Sequence, residues 1–200
     1  MILIDISLLA AHLIGMAEFR INQNKVVEAL VYLASKRPRI DVFHVAKVLF
    51  YADLNHLLKY GRPILGDTYV AMDDGPVPSF ALNVAKRNRR FVSDEILRIA
   101  DDKLSVDESD GYVRLMARAT FDDSSFSRTD IECLDESIIA YADMPFMKLW
   151  QLIHKWQPYK DHYISGTSTP IPYEDFIPKD TKDREKIIEQ LNEHAPATEL

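Results

Sequence analysis

The chain has 200 residues, 47% of them hydrophobic, a net charge of −7 and one cysteine, Cys133. That is enough apolar material for one large domain with appendages and excludes a disordered chain, while a lone cysteine excludes an internal disulfide and fits a reducing cytoplasm. Residues 1–90 hold 12 Lys and Arg against 8 Asp and Glu, but residues 91–200 hold 12 against 23, a balance of −11 that argues against chain-wide nucleic-acid binding and suits a partner with a basic surface.

Residues 1–15 lean apolar but lack a basic leader, carry Asp5 and His12, and are too short to span a bilayer, so neither a signal peptide nor a membrane segment is expected. The spacing of Leu9, Leu13, Met16 and Arg20 predicts an amphipathic helix there. Asn22 or Asn24 caps a helix to about Ser35, and Asp41 caps the next, to Tyr60, with Gly61 placed to end it. A short extended piece covers 68–71. Pro78 or Ser79 opens a helix whose basic end, 86–90, complements its dipole. Residues 96–100, 103–106 and 112–116 read as strands around an Asp110-Gly111 turn, a small sheet between about 94 and 118.

Thr129 and Glu132 read as a capping box for a helix with Ile131, Leu134, Ile138 and Tyr141 inward. Pro145 fits the first position of another, with Phe146, Leu149, Trp150 and Ile153 inward, closed by Pro158. The proline-rich stretch 159–178 reads as an irregular packed loop, and Asp180 caps a last helix with a thin apolar face of Ile187, Ile188 and Leu191. The expected fold is mainly α (α+β): a compact domain of five to seven helices with a small antiparallel β element. It spans 22–178, between an N-terminal extension at 1–21 and an acidic helix or tail at 179–200.

The chemistry-bearing residues concentrate between 41 and 78. Lys47 and Tyr51 are four apart on one helix face, and Asp53 and His56 are three apart on another. With His154 these two could form a metal or acid–base site. Two ligands on one helix need more from elsewhere, though, and the chain has no His-x-x-x-His and no cysteine pair. The competing reading is that Asp53 and His56 tie down the connector 61–75. Gly75-Pro76-Val77-Pro78 cannot cradle phosphate, because proline removes two donors; it reads as a stiff corner that presents Val77 to a partner. Cys133, with Glu132, Asp135 and Glu136 beside it, is a blunted nucleophile, and no Gly-x-Ser-x-Gly elbow exists. The basic run 86–90 lacks interleaved aromatics for base stacking.

The order of these residues resembles the Panacea domain, the SocA-like antitoxin family of bacteria and phages. Lys47, Tyr51, Asp53 and His56 match its helix motif, Gly61, Arg62 and Pro63 the turn that follows, and Gly75, Pro76 and Val77, with Pro78 after them, the corner. His154-Lys155-Trp156 resembles its second short signature, and the likeness covers about residues 22–176. It implies a mostly helical, non-enzymatic protein without cofactor or metal, acting as the antitoxin of a two-gene system. Its partner would be a protein toxin encoded next to it, such as a translation inhibitor, neutralised by direct contact in the cytoplasm. The regions outside the signature are candidates for partner specificity: Leu9, Leu13 and Met16 at one end, Asp180, Asp183 and Glu185 at the other. Two alternatives stay open: an enzyme using Asp53, His56, His154 and Tyr51, and a phage accessory protein that tethers a non-toxin client.

Overall fold

In the computed structural model, which describes residues 19–195, helix α1 (Gln23–Lys36) begins where the Asn22 side chain accepts from the Lys25 N–H. It is buried without a break from Val26 to Ala34. After β1 (Ile40–Asp41), helix α2 (Val42–Tyr60) starts on the Asp41 carboxylate, which accepts from the His44 N–H. It stops at Gly61, left-handed at φ 71°, whose N–H returns to the Leu57 carbonyl. Strands β2 (Tyr69–Met72) and β3 (Gly75–Pro78) form a hairpin, with Tyr69 opposite Pro78. Then come α3 (Ser79–Ala85), α4 (Asp94–Lys103), β4 (Leu104–Asp107) and β5 (Arg114–Ala117). The last part holds α5 (Arg128–Tyr141), α6 (Phe146–Ile153), α7 (Gln157–His162), β6 (Thr169–Pro170), α8 (Tyr173–Phe176) and α9 (Arg184–His194).

The strands form two separate antiparallel sheets of three, in the orders β1-β5-β4 and β3-β2-β6. Helix α2 lies between two hydrophobic clusters. On one side Val45, Val48, Leu49 and Ala52 join α1, α3, α4, α5 and the first sheet in an aliphatic core. On the other, Phe50, Leu54 and Leu57 join Tyr69, Ile153, Tyr159, Tyr173, Phe176 and Leu191 in a core rich in aromatic rings. A helix buried on both sides has no room for a wide polar face, which is why Lys47 and Asp53 go inside.

The mainly α (α+β) fold is as expected, but several elements differ. The described residues hold nine helices rather than five to seven, and two sheets rather than one between 94 and 118. Residues 96–100 are the middle of α4, not a strand. Ser93 caps that helix by accepting from the Ile96 N–H, Asp94 and Glu95 favour its N-terminus, and Ile96, Leu97 and Ala100 form its buried stripe. The capping box of α5 is Ser127 with Asp130, not Thr129 with Glu132. Pro158 opens α7 instead of only closing α6, and the stretch after it folds into α7, β6 and α8. The last helix starts after Asp183, at left-handed φ 57°, not at Asp180.

Candidate functional site

Three motif side chains of α2, Asp53, His56 and Lys47, reach inward, and each holds a different stretch of main chain. Asp53 accepts from the N–H groups of Ile64 (2.8 Å) and Leu65 (3.2 Å) and from the Tyr69 hydroxyl (3.0 Å). Burial pushes its carboxyl up to about 6 against the pull of those three donors. His56 donates from Nδ1 to the Arg62 carbonyl at 2.8 Å, while its Nε2 lies 3.0 Å from both the Thr129 hydroxyl and the Asp130 carboxylate. Asp130 also takes Lys25 (2.8 Å) and Arg62 (2.9 Å), and is held well below the usual carboxylate range by its His56 and Lys25 bonds despite its burial. The connector is thus held by α2 through Asp53 and His56 and by α5 through Asp130, which Lys25 of α1 also pairs.

Lys47 is wholly buried. Its ammonium donates to the Pro76 carbonyl at 3.0 Å and sits 5.2 Å from the centre of the Phe43 ring. Burial pushes the amine down to about 7, with the Asp74 charge opposing. Gly75 lies against this lysine at φ 101°; a Cβ there would stand 2.3 Å from Ile153 Cγ2 and 3.3 Å from Lys47 Cε. Gly75, Pro76, Val77 and Pro78 are all buried. The corner therefore does not present Val77 to a partner, because α2 and α6 close over β3. Lys47 lies on the enclosed side of α2, not on its surface. Gly61 is required for a second reason besides its φ: a Cβ would meet Gln190 Cβ of α9 at 2.7 Å, and His194 Nδ1 approaches the Gly61 carbonyl at 3.3 Å.

The remaining motif residues lie elsewhere. Tyr51 stacks on Tyr141 with ring centres 3.9 Å apart. Pro63 is buried, and Arg62 spans from the Pro63 carbonyl to Asp130. His154 stacks on Trp150 and places its two nitrogens 2.7 Å from the Trp150 carbonyl and 3.1 Å from the Asp73 carbonyl, joining α6 to the β2–β3 turn. It shares no hydrogen-bond partner with Asp53 or His56 among the described residues. Trp156 packs on Phe50 and Phe176. Cys133 is buried and its thiol is pushed up to about 11 by burial. Asp180, Asp183 and Glu185 are exposed. Leu9, Leu13 and Met16 lie outside the described residues. Among the described residues no group of His, Cys, Asp and Glu could hold a metal ion, and no helix is long and apolar enough to cross a membrane.

Two acids matter that the sequence reading left out. Asp67 accepts from the N–H groups of Phe80 (2.9 Å) and Ala81 (2.8 Å), capping α3 from twelve residues upstream of its first residue, and burial pushes it up to about 7. Its carbonyl takes the Tyr173 hydroxyl at 2.8 Å. Asp130 was within reach, since Ser127-x-x-Asp130 is itself a capping-box spacing; Asp67 carries no local signal.

A family model described as antitoxin SocA-like, Panacea domain, matches residues 45–158. The matched span opens on the inward face of α2 and ends at α7, so it contains Lys47, Asp53, His56, the connector, Gly75 and His154. No curated protein and no solved structure matches the chain.

Proposed function

This chain belongs to the antitoxin SocA-like, Panacea domain family, and from that premise we propose that it is the antitoxin of a bacterial or phage toxin–antitoxin system, acting by direct protein–protein contact. Family membership carries the reading. The geometry of the motif supports it: Lys47, Asp53 and His56 are enclosed and spend their hydrogen bonds on main chain and on each other's neighbours. Residues used in that way build a scaffold. The partner is then a protein toxin, with a translation inhibitor encoded by the adjacent gene as the specific expectation, and the site of action the cytoplasm.

Partner specificity falls to what the scaffold leaves outside. We assign it to residues 1–18 with Leu9, Leu13 and Met16, and to the exposed acids Asp180, Asp183 and Glu185. The apolar residues would supply affinity and the acids would speed and orient encounter with a basic toxin. The test is co-expression with the product of the neighbouring gene. A product that arrests growth alone, is silenced by this chain and co-purifies with it is the expected result. A harmless neighbour, or rescue with no complex, would overturn it. The first outcome would favour a tethering protein, and stoichiometric metal in the purified chain would favour an enzyme.

A further inference from the structure

The chain enters the described fold at Phe19, on the wall of a cavity. The cavity measures about 260 Å³; Phe19, Ile21, Phe80 and Phe91 form its apolar walls, and Asp67 and Asn83 lie among its polar ones. Phe19 is fixed in place there. Its ring packs edge-on against Tyr173 with centres 5.4 Å apart, and Gly66 leaves it room, since a Cβ on Gly66 would stand 2.8 Å from Phe19 Cβ.

The chemistry of the walls selects an apolar occupant. Both oxygens of the Asp67 carboxylate accept from main chain, one from Phe80 and one from Ala81. The Asn83 amide donates to the Ser79 carbonyl and accepts from Asn88. A polar ligand would find these groups already engaged, while an apolar side chain strands none of them. An apolar cavity of about 150 Å³ takes a benzene ring, so this one has room for a leucine-sized side chain with space over. Phe91, 61% exposed, is a large ring left in water on the same cavity. The chain itself supplies apolar side chains next to the opening. Residues 1–18 are mostly apolar, and Met16 and Leu13 stand three and six residues before Phe19. Even fully extended, three residues cover about 10 Å and six about 20 Å, so both side chains are confined to the neighbourhood of the cavity. A tether that short holds them at an effective concentration in the millimolar range, where even a weak contact is substantially formed. Charge points the same way. The segment carries Asp5 and Glu18 and no lysine or arginine, while Arg90, 5.5 Å from the centre of the Phe91 ring, makes no ion pair among the described residues.

We propose that residues 1–18 fold back onto this cavity and fill it with the side chains of Met16 and Leu13. The segment assigned above to the partner is then also the cover of its own domain. The docking itself needs no partner. Its consequence, that a partner must compete with the cavity for these two residues, rests on the assignment made above.

The experiment is nuclear Overhauser spectroscopy on the full chain with no partner present, so its failure would leave the antitoxin reading untouched. The methyl groups of Leu13 and Met16 should show contacts with the ring protons of Phe80 and Phe91. Phe91→Ser, at an exposed position, should weaken the contacts that remain to Phe80. Leu13→Ser and Met16→Ser together should shift the amides of Phe80, Asn83 and Phe91 and leave those of β4 and β5 in place. Absence of the contacts in the unaltered chain, contacts with another face, or amides indifferent to the double substitution would overturn the proposal. So would contacts found only between differently labelled copies in a mixed sample, because the cavity would then take the segment of a second chain.

Discussion

Helix α2 with its connector, and helix α9, are both charged amphipathic stretches, yet the first turns its polar groups inward and the second leaves them in water. Along α2 the neighbours are helices and sheets on two sides, so Lys47, Asp53 and His56 must find partners in the protein, and they find main chain. Along α9 only Leu191 is buried, with Ile187 and Ile188 half-buried, and the acids stay exposed. The difference teaches where each substitution should register. In the first region it should appear in unfolding, in the second in association.

The largest expected effect is at Gly75. A valine there combines an unfavourable φ of 101° with a Cβ 2.3 Å from Ile153, in a strand buried at every residue. Strain and overpacking together should cost about 4 kcal/mol in urea unfolding. A loss below about 1 kcal/mol would show that β3 can move away from α6, and the rigid half of the comparison would fail. Asp53→Ala comes next. It strands two buried N–H groups and the Tyr69 hydroxyl, and should cost about 3 kcal/mol, with Asp53→Asn intermediate. His56→Ala should be smaller, about 2 kcal/mol, because Asp130 keeps Lys25 and Arg62.

The contrast sharpens with pH. Asp53 and Asp67 have folded-state values of about 6 and about 7, above the usual 3.8, so the folded state keeps protons that the unfolded chain has released. Their contribution is fully present below 3.8 and is lost as pH rises through 6 to 7. Lys47, at about 7 against 10.5, acts in the opposite sense. Its amine is free of penalty above 10.5, and stability falls as pH drops toward 7. The three groups together predict a stability minimum near pH 7. Lys47→Met should abolish the alkaline rise and raise stability at neutral pH by about 2 kcal/mol, since an apolar side chain of similar length replaces a buried cation. A flat profile from pH 5 to 9 in both proteins would mean that these groups titrate as they do in water.

Much of the fold could be read locally. Asp41 and Gly61 mark both ends of α2 within one turn of the helix, and Asp110-Gly111 marks the turn before β5. Residues 96–100 misled because five residues with a central arginine fit a strand as well as a helix; the decision lay in Ser93, Asp94 and Glu95 just outside them. The site was legible as a list of residues but not as a network. Asp53 bonds eleven to sixteen residues downstream, and His56 meets Asp130 through a closure that no local pattern encodes. The two prolines of the corner carry a local signal for a fixed backbone. That the corner faces inward depends on α6, seventy residues later, whose packing over Gly75 only the tertiary structure supplies.

The smallest structural effect should come from the acidic end, and it tests the other half of the comparison. Asp180→Asn, Asp183→Asn and Glu185→Gln together should leave the urea midpoint unchanged, because all three side chains are exposed and accept no hydrogen bond among the described residues. Asn is also suited to the left-handed backbone at Asp183. The triple variant should instead associate more slowly with a basic partner and lose much of the salt dependence of that rate, because exposed charges act over about a Debye length before contact forms. Deleting residues 1–18 should weaken rescue more than folding. If the triple variant associates at the wild-type rate at both low and high salt while Gly75→Val unfolds the domain as expected, the scaffold reading stands and the contact surface moves. The exposed Phe146 and Met147 side chains of α6 are then among the first to change, because neither buried core uses them.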